Sequence, residues 1–309
     1  MANIKDIANL LRVRQYYKNV LVFVGAFFSV SLLIFSLFPV LILGFIILCC
    51  ASSINYIIND IRDIEKDKMH SEKLSKRPLA SGDLSVSFAI LVLMGLSGFI
   101  IFSLVFFIQN LNFTIMVILI IATGQLYNIF FKDHAFIDVL ALSTIYLWRA
   151  LAGCLLIHVF ISPWLFLAIF EIAMFLVMAK RKADLILLGP EKAAEHKKSY
   201  EQYTEKLIDQ FQVIIATSLF ITYSFYLILH FNLFTVEDVS LHEYLVIVTI
   251  PIFMYIIMRY MYLTSAKPEI ARNTEKMFLE PGMLIAAAIL GAILLYSFYW
   301  DTIIELLGL

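Results

Sequence analysis

"PVLILGFIILCCASSINYIINDIRDIEKD", Pro39 to Asp67, runs from a long apolar stretch straight into four carboxylates. Its first part, Pro39 to Asn59, has the length a helix needs to cross a hydrocarbon core about 30 Å thick at about 1.5 Å per residue. Its last nine residues, Asn59 to Asp67, place Asp60, Asp63, Glu65 and Asp67 at the rim of that span. A membrane helix ending in clustered acids is the pattern from which the rest of the chain is read.

Outward from this stretch, the 309-residue chain is 62% hydrophobic and only 15% charged, more apolar surface than a water-soluble domain can cover. Polar breaks separate nine apolar runs: Val20 to Phe38, Pro39 to Asn59, Val86 to Ile108, Phe113 to Phe131, Phe136 to Ile157, Pro163 to Ala179, Phe211 to Phe231, Tyr244 to Leu263 and Gly282 to Trp300. These predict an all-α integral membrane protein with nine transmembrane helices. Residues 1–309 read as one polytopic domain whose larger polar loops cover 59–85 and 180–210.

Charge orients it. Lys and Arg fall at Lys5, Arg12, Arg14 and Lys18, six times from Arg62 to Arg77, at Lys132, seven times from Lys180 to Lys206, and at Lys267, Arg272 and Lys276. The alternate loops, around Ser36, Gln109, Ser162 and Val236, and the tail after Trp300 hold none. The positive-inside rule therefore predicts a multi-pass protein of the inner (cell) membrane with a cytoplasmic N-terminus, cytoplasmic acidic loops and an external C-terminus. No removable signal peptide is expected, the first span directing insertion. Cys49, Cys50 and Cys154 fall inside spans and read as buried thiols rather than disulfide or zinc ligands. No glycine-rich nucleotide loop or nucleic-acid-binding feature stands out.

On a helix, Asn59, Asp63 and Asp67 lie about −100°, −60° and −20° from Asp60, so all four share a face that Tyr56 continues one turn deeper. Arg62 and Glu65 point elsewhere. Clustered carboxylates near a low-dielectric boundary need a counter-ion. Oxygen ligands favour Mg2+, which bridges a few carboxylates to substrate phosphates. The competing reading is a solvated helix end whose acids pair with Lys66, Lys68 and Lys73.

"NDIRDIEKD", followed by His70, Lys73 and "RPLASG", resembles the first aspartate-rich motif of the UbiA superfamily of intramembrane prenyltransferases, with Ser71 where many members have proline. The resemblance implies nine helices around a central cavity, and Mg2+ held against a diphosphate by Asn59, Asp63 and Asp67, with Asp60 either binding the ion or supporting its ligands. "MAKRKADLILLG" can be laid over "IINDIRDIEKD" with Lys180 on Asn59 and Asp184 on Asp63, which hints at two pseudo-repeated four-helix units. Quinone-type members carry a second aspartate-rich motif here; this chain has Lys180, Arg181 and Lys182, with Asp184 alone. That departure, with "LRVRQYYKNVLVF", "YNIFFKDHAFIDVLALSTIYLWRALAG" and "SPWLFLAIFEIAMFLVMAKRKADL", is similar to the decaprenyl-phosphate (polyprenyl-phosphate) phosphoribosyltransferase branch. The branch usually has Glu at Asp184 and Trp at Tyr16 or Tyr17.

The implied reaction is Mg2+-dependent transfer of 5-phosphoribosyl from phosphoribosyl pyrophosphate (PRPP) to a polyprenyl phosphate in the membrane. Substrate-binding candidates are Gln15, Lys18, Asn19, Arg77, Tyr127, Asn128, Lys132, Asp138, Arg149, Lys180, Arg181 and Asp184. Lys18, Arg77, Lys132, Lys180 and Arg181 would form a cationic cup around the acidic face, although basic residues at helix ends also snorkel to headgroups. Asp138 is expected to orient Lys132 or Arg149, Arg149 to face the cavity, and Glu171 to pair with a polar neighbour. His158 and His230 read as structural. Two rivals stay open: prenyl transfer from a diphosphate to an aromatic or other small acceptor, and a lipid or anion transporter. The "GAILLYSF" face, Gly291 to Phe298, suggests a homo-oligomer contact.

Overall fold

The structure is a computed structural model that describes residues 3–69, 74, 76–160, 162–234 and 240–308. His70, Ser71, Lys73 and Val236 lie outside the described residues, and every regular element among the described residues is helical. Among the described residues eight helices are long and apolar enough to cross a membrane. The chain divides into two compact units, Met1–Phe130 with Thr144–Phe160, and Phe131–Ser143 with Ile161–Leu309.

The first unit begins with α1 (Ile4–Leu11), capped by the Asn3 side chain. Where the sequence suggests a span over Val20 to Phe38, the chain instead forms an 11-residue 3-10 helix, Val13–Phe23, followed by the short α2 (Val24–Phe28). At about 2.0 Å per residue the 3-10 helix alone rises about 22 Å. This first stretch is thus assembled from short elements rather than one long helix, and the eight long apolar helices among the described residues leave the expected count of nine unconfirmed. Tight packing accompanies the unusual winding: a Cβ on Gly153 would lie 1.8 Å from the Val22 carbonyl oxygen, so only glycine permits that approach.

Next come α3 (Phe38–Arg62), with a proline in its first turn, α4 (Ile64–Lys68) and α5 (Pro78–Ser81). Then follow α6 (Val86–Ser103) and α7 (Leu111–Ile129), whose first turns are capped by Ser85 and Asn110. α8 (Ile137–Leu156) completes the unit with its second half. Val22, Leu41, Ile47, Leu48, Phe113, Ile120 and Leu156 form the core. Inside it, Asn55 donates to the Ile120 carbonyl at 3.1 Å and accepts from Gln125 at 2.6 Å, so a mid-span amide is satisfied by the neighbouring helix. By contrast α6 turns Leu91, Met94, Ile101 and Phe102 outward, the face a lipid tail would cover.

The second unit holds the start of α8, then α9 (Pro163–His196), a 3-10 turn (Lys198–Gln202), α10 (Glu205–His230) and α11 (Leu241–Leu245). It closes with α12 (Thr249–Ala266), α13 (Pro268–Ala271), α14 (Thr274–Phe278) and α15 (Pro281–Leu307). Phe175, Met178, Leu185, Ile208, Leu219 and Tyr260 fill its core. α9 is broken at Gly189 (φ 75°, ψ 161°) ahead of Pro190, which cannot continue a helix without losing a backbone bond.

Candidate functional site

α3 ends at Arg62, Asp63 takes a turn conformation (φ −97°, ψ 11°), and α4 restarts at Ile64. The backbone bonds Asp63 N to Asn59 O (2.9 Å) and Asp67 N to Asp63 O (2.8 Å) carry the chain through the break. Asp60 and Asp67, 3% and 1% exposed, converge on one group: Arg77 Nη1 donates to Asp60 Oδ1 and to Asp67 Oδ2, each at 2.6 Å. Arg12 Nη2 adds a second bond to Asp60 Oδ1 at 2.5 Å while its guanidinium lies over the Tyr56 ring. The face expected of Asp60 and Asp67 is therefore occupied by arginine. Asn59 and Asp63 are half-buried beside it, and the pair the structure joins is Asp60 with Asp67.

The Arg77 guanidinium bridges two of the carboxylates expected at the metal site. Among the described residues no three His, Cys, Asp or Glu side chains converge into a preformed metal cage. Magnesium does not require one, since it is commonly bound through one or two carboxylates together with substrate phosphates and water. One cationic nitrogen lying equally close to two carboxylates shows that the patch can hold a bridging positive charge. The residues fit Mg2+ by this criterion and by their oxygen-only chemistry, provided Arg77 gives way.

Deeper in the same unit is a second polar group. Ser52 donates to Asn19 Oδ1 and Asn19 donates to Cys49 Sγ, each at 3.3 Å, while Tyr16 and Ser53 share a 2.9 Å hydrogen bond. Arg149, 6% exposed, approaches Ser52 Oγ at 3.5 Å. Gln15, Tyr127 and Asn128 are half-buried.

In the second unit the expected residues form a closed ion network. Asp138 is 0% exposed and accepts from Arg181 Nε (3.1 Å), Lys197 (2.5 Å) and Tyr203 (2.8 Å). Asp138, expected to orient Lys132 or Arg149, is held by Arg181 and Lys197, because the turn after α9 brings Lys197 and Tyr203 back onto the start of α8. Tyr200 donates to Asp184 at 2.6 Å, and Arg272 pairs with the same carboxylate at 2.9 Å. Burial pushes the Tyr200 and Tyr203 phenols well above the usual tyrosine value, so both stay protonated and remain donors. Arg181 is thereby engaged by protein groups, and Lys182 pairs with Asp209 at 2.7 Å. Lys180 is exposed and Lys132 half-buried. Glu171 accepts from Ser218 at 2.5 Å, the polar pairing expected of it.

The sequence alone does not single out Arg12, Ser52, Lys197, Tyr200, Tyr203 and Arg272 as site residues. Arg12 carried a signal, as a cation just ahead of an apolar run. The others depend on contacts between segments far apart in sequence.

Comparison with known proteins agrees with this architecture. The profile of the UbiA prenyltransferase family matches residues 19–280. Decaprenyl-phosphate phosphoribosyltransferase of Mycobacterium tuberculosis is 26% identical over 226 residues, covering 71% of this chain and 73% of the relative. The protein of the same name from Mycolicibacterium smegmatis is 27% identical over 226 residues, covering 71% and 69%. A solved UbiA homolog from Archaeoglobus fulgidus, bound to DMAPP and Mg2+, has a similar fold (TM-score 0.66, 16% identity) over 95% of this chain and 98% of its own.

Proposed function

Because the chain belongs to the UbiA prenyltransferase family, we propose that it transfers a 5-phosphoribosyl group from PRPP to a polyprenyl phosphate, with Mg2+ and at the cytoplasmic side of the cell membrane. The convergence of Asp60 and Asp67 on one cationic nitrogen carries this reading, since it marks a place for positive charge at the end of a membrane span. The two mycobacterial relatives, which are named for this transfer, support the choice of sugar donor and lipid acceptor.

Asn59, Asp60, Asp63 and Asp67 would hold the cation, which supplies neutralisation of the charge that develops on the departing pyrophosphate. Once displaced from the two carboxylates, Arg77 presents its guanidinium to the same phosphate oxygens, for which its planar fork is suited. Arg12 stays on Asp60 and holds that carboxylate in place. A lipid phosphate oxygen forms the new bond to C1 of the ribose as the C1–O bond to pyrophosphate breaks. The acceptor is already an anion, so no side chain has to remove a proton. In the second unit Lys180 is the exposed cation of the "KRK" run, whereas Asp138 and Asp184 hold Arg181 and Arg272 in the fold.

Purified protein incubated with labelled PRPP, Mg2+ and a panel of polyprenyl phosphates should yield a labelled lipid. A parallel mixture of prenyl diphosphate and aromatic acid should yield nothing. Product only in the second mixture would replace phosphoribosyl transfer with prenyl transfer.

A further inference from the structure

Two cations in the first unit are not accounted for by the acid patch. The Lys18 ammonium lies 5.9 Å from the centre of the Tyr146 ring, and the Arg149 guanidinium lies 5.2 Å from the same ring. Two like charges thus face one ring. Among the described residues neither pairs with a carboxylate, whereas Arg12 and Arg77 in the same unit both do. Arg149 is 6% exposed, its Nε has no hydrogen-bond partner, and among the described residues its one side-chain hydrogen bond, to Ser52 Oγ, is at the 3.5 Å limit.

Burying a charge in a membrane span without a counter-ion is costly, and a second like charge beside it adds to the cost. The Tyr146 face shared by both, with the Tyr17 ring 6.0 Å from Lys18, offsets only part of this. Arginine and lysine together offer eight N–H donors, and among the described residues their one side-chain hydrogen bond is that of Arg149 to Ser52 Oγ. The group that would complete the arrangement is anionic, compact and rich in acceptors. A phosphate monoester meets all three conditions, with two negative charges and three terminal oxygens.

Position separates this place from the acid patch. Ser52 precedes Asp60 by eight residues on α3, about 12 Å along the helix axis, so a ligand at Arg149 lies well inside the apolar span. Asn19, fixed by Ser52 and Cys49, faces the same polar group.

We propose that Lys18 and Arg149, backed by Ser52 and Asn19, form a receptor for a phosphate monoester distinct from the carboxylate patch that faces the leaving pyrophosphate. The inference rests on the phosphoribosyl-transfer reading above, in which the lipid acceptor and the 5-phosphate of the sugar donor both carry this group. The depth of Arg149 within the span favours the lipid.

The test measures binding without magnesium, so that turnover plays no part. Detergent-purified protein is titrated with geranylgeranyl phosphate, with geranylgeraniol and with ribose 5-phosphate. The wild type should bind the lipid phosphate at least about tenfold more tightly than the alcohol, as charge-assisted hydrogen bonds to a buried group require. Arg149→Gln and Lys18→Gln should each bring the two lipids to within about twofold, and Arg149→Lys should restore part of the preference, which a folding defect would not. Should Arg149→Gln fail to purify as a folded species, the half-buried Lys18 carries the comparison. Loss of ribose 5-phosphate binding in these variants, with the lipid preference unchanged, would support the receptor and assign it to the sugar. Equal binding of lipid phosphate and alcohol by the wild type, with no ribose 5-phosphate binding, overturns the proposal, as does a phosphate preference that survives both glutamine variants. If the receptor binds as expected but labelled PRPP gives no labelled lipid, it is the transfer reading that fails and the receptor stands.

Discussion

Asp60 in the first unit and Asp138 in the second are both almost fully buried, and each is met by two cations. The cations differ in exposure. Those on Asp60 are Arg12 and Arg77, with side chains 25% and 19% exposed and both on Oδ1. Those on Asp138 are Arg181 and Lys197, at 7% and 13%, and the other oxygen of Asp138 is taken by Tyr203. The second cluster is saturated and closed, so changing it costs the fold. The first is neutralised by side chains that reach solvent, which the proposed function has trade places with another cation. Similar ingredients thus make a closed fastening in one unit and a more open cluster in the other, the one proposed to exchange its cation.

The contrast can be broken most sharply at Asp67. Asp67→Asn removes half of the bridging pair and should lower turnover by about three orders of magnitude with little change in yield, read by labelled-lipid formation per mole of folded protein. Asp63→Asn should behave in the same way; retained magnesium-dependent activity in both variants would remove the site from the acid patch. Asp138→Ala should do the reverse. It strands Arg181 and Lys197 in a buried place, a loss of about 3–5 kcal/mol, visible as a lower unfolding temperature in detergent. Comparable loss of activity at unchanged stability would erase the distinction between the clusters.

Smaller effects sharpen it. Arg77→Gln removes the internal competitor for the carboxylates and should tighten Mn2+ binding, measured by its electron paramagnetic resonance signal, by about tenfold, since a competing ion pair of roughly 1.4 kcal/mol corresponds to that factor. Weaker Mn2+ binding would mean that Arg77 assists the metal instead. At Tyr203 the effect depends on pH. Its phenol titrates higher in the folded protein than in the unfolded chain, so its contribution is constant below about pH 10 and falls as the unfolded chain begins to lose its proton first. Tyr203→Phe should therefore flatten the decline in unfolding temperature between pH 9 and 11.

Much of this was legible in the amino-acid order. The apolar run ending in "NDIRDIEKD" announced a membrane helix and a shared acidic face, and Asp60 and Asp67 do meet at one nitrogen. Counting residues around the helix could not reveal that Arg77 fills the space, because it lies ten positions on and enters through α5. The "KRK" run hid its partners in the same way. Spacing shows three cations but not that Asp138, on another helix, and Asp209 engage two of them. The stretch Val20 to Phe38 has the composition of a span, but hydropathy carries no information on winding, and a close approach to Gly153 goes with a tighter helix.

That tighter helix repeats every three residues, so Tyr16, Asn19 and Val22 stack in a single file. Tyr16 meets Ser53, Asn19 meets Cys49 and Ser52, and Val22 meets Gly153. Rewound at 3.6 residues per turn, the same eleven residues would shorten from about 22 Å to about 16.5 Å and fan those three side chains apart by some 60° at each step. The file works as a ruler whose gradations are set by winding rather than by composition, and one added or deleted residue would put every mark out of register.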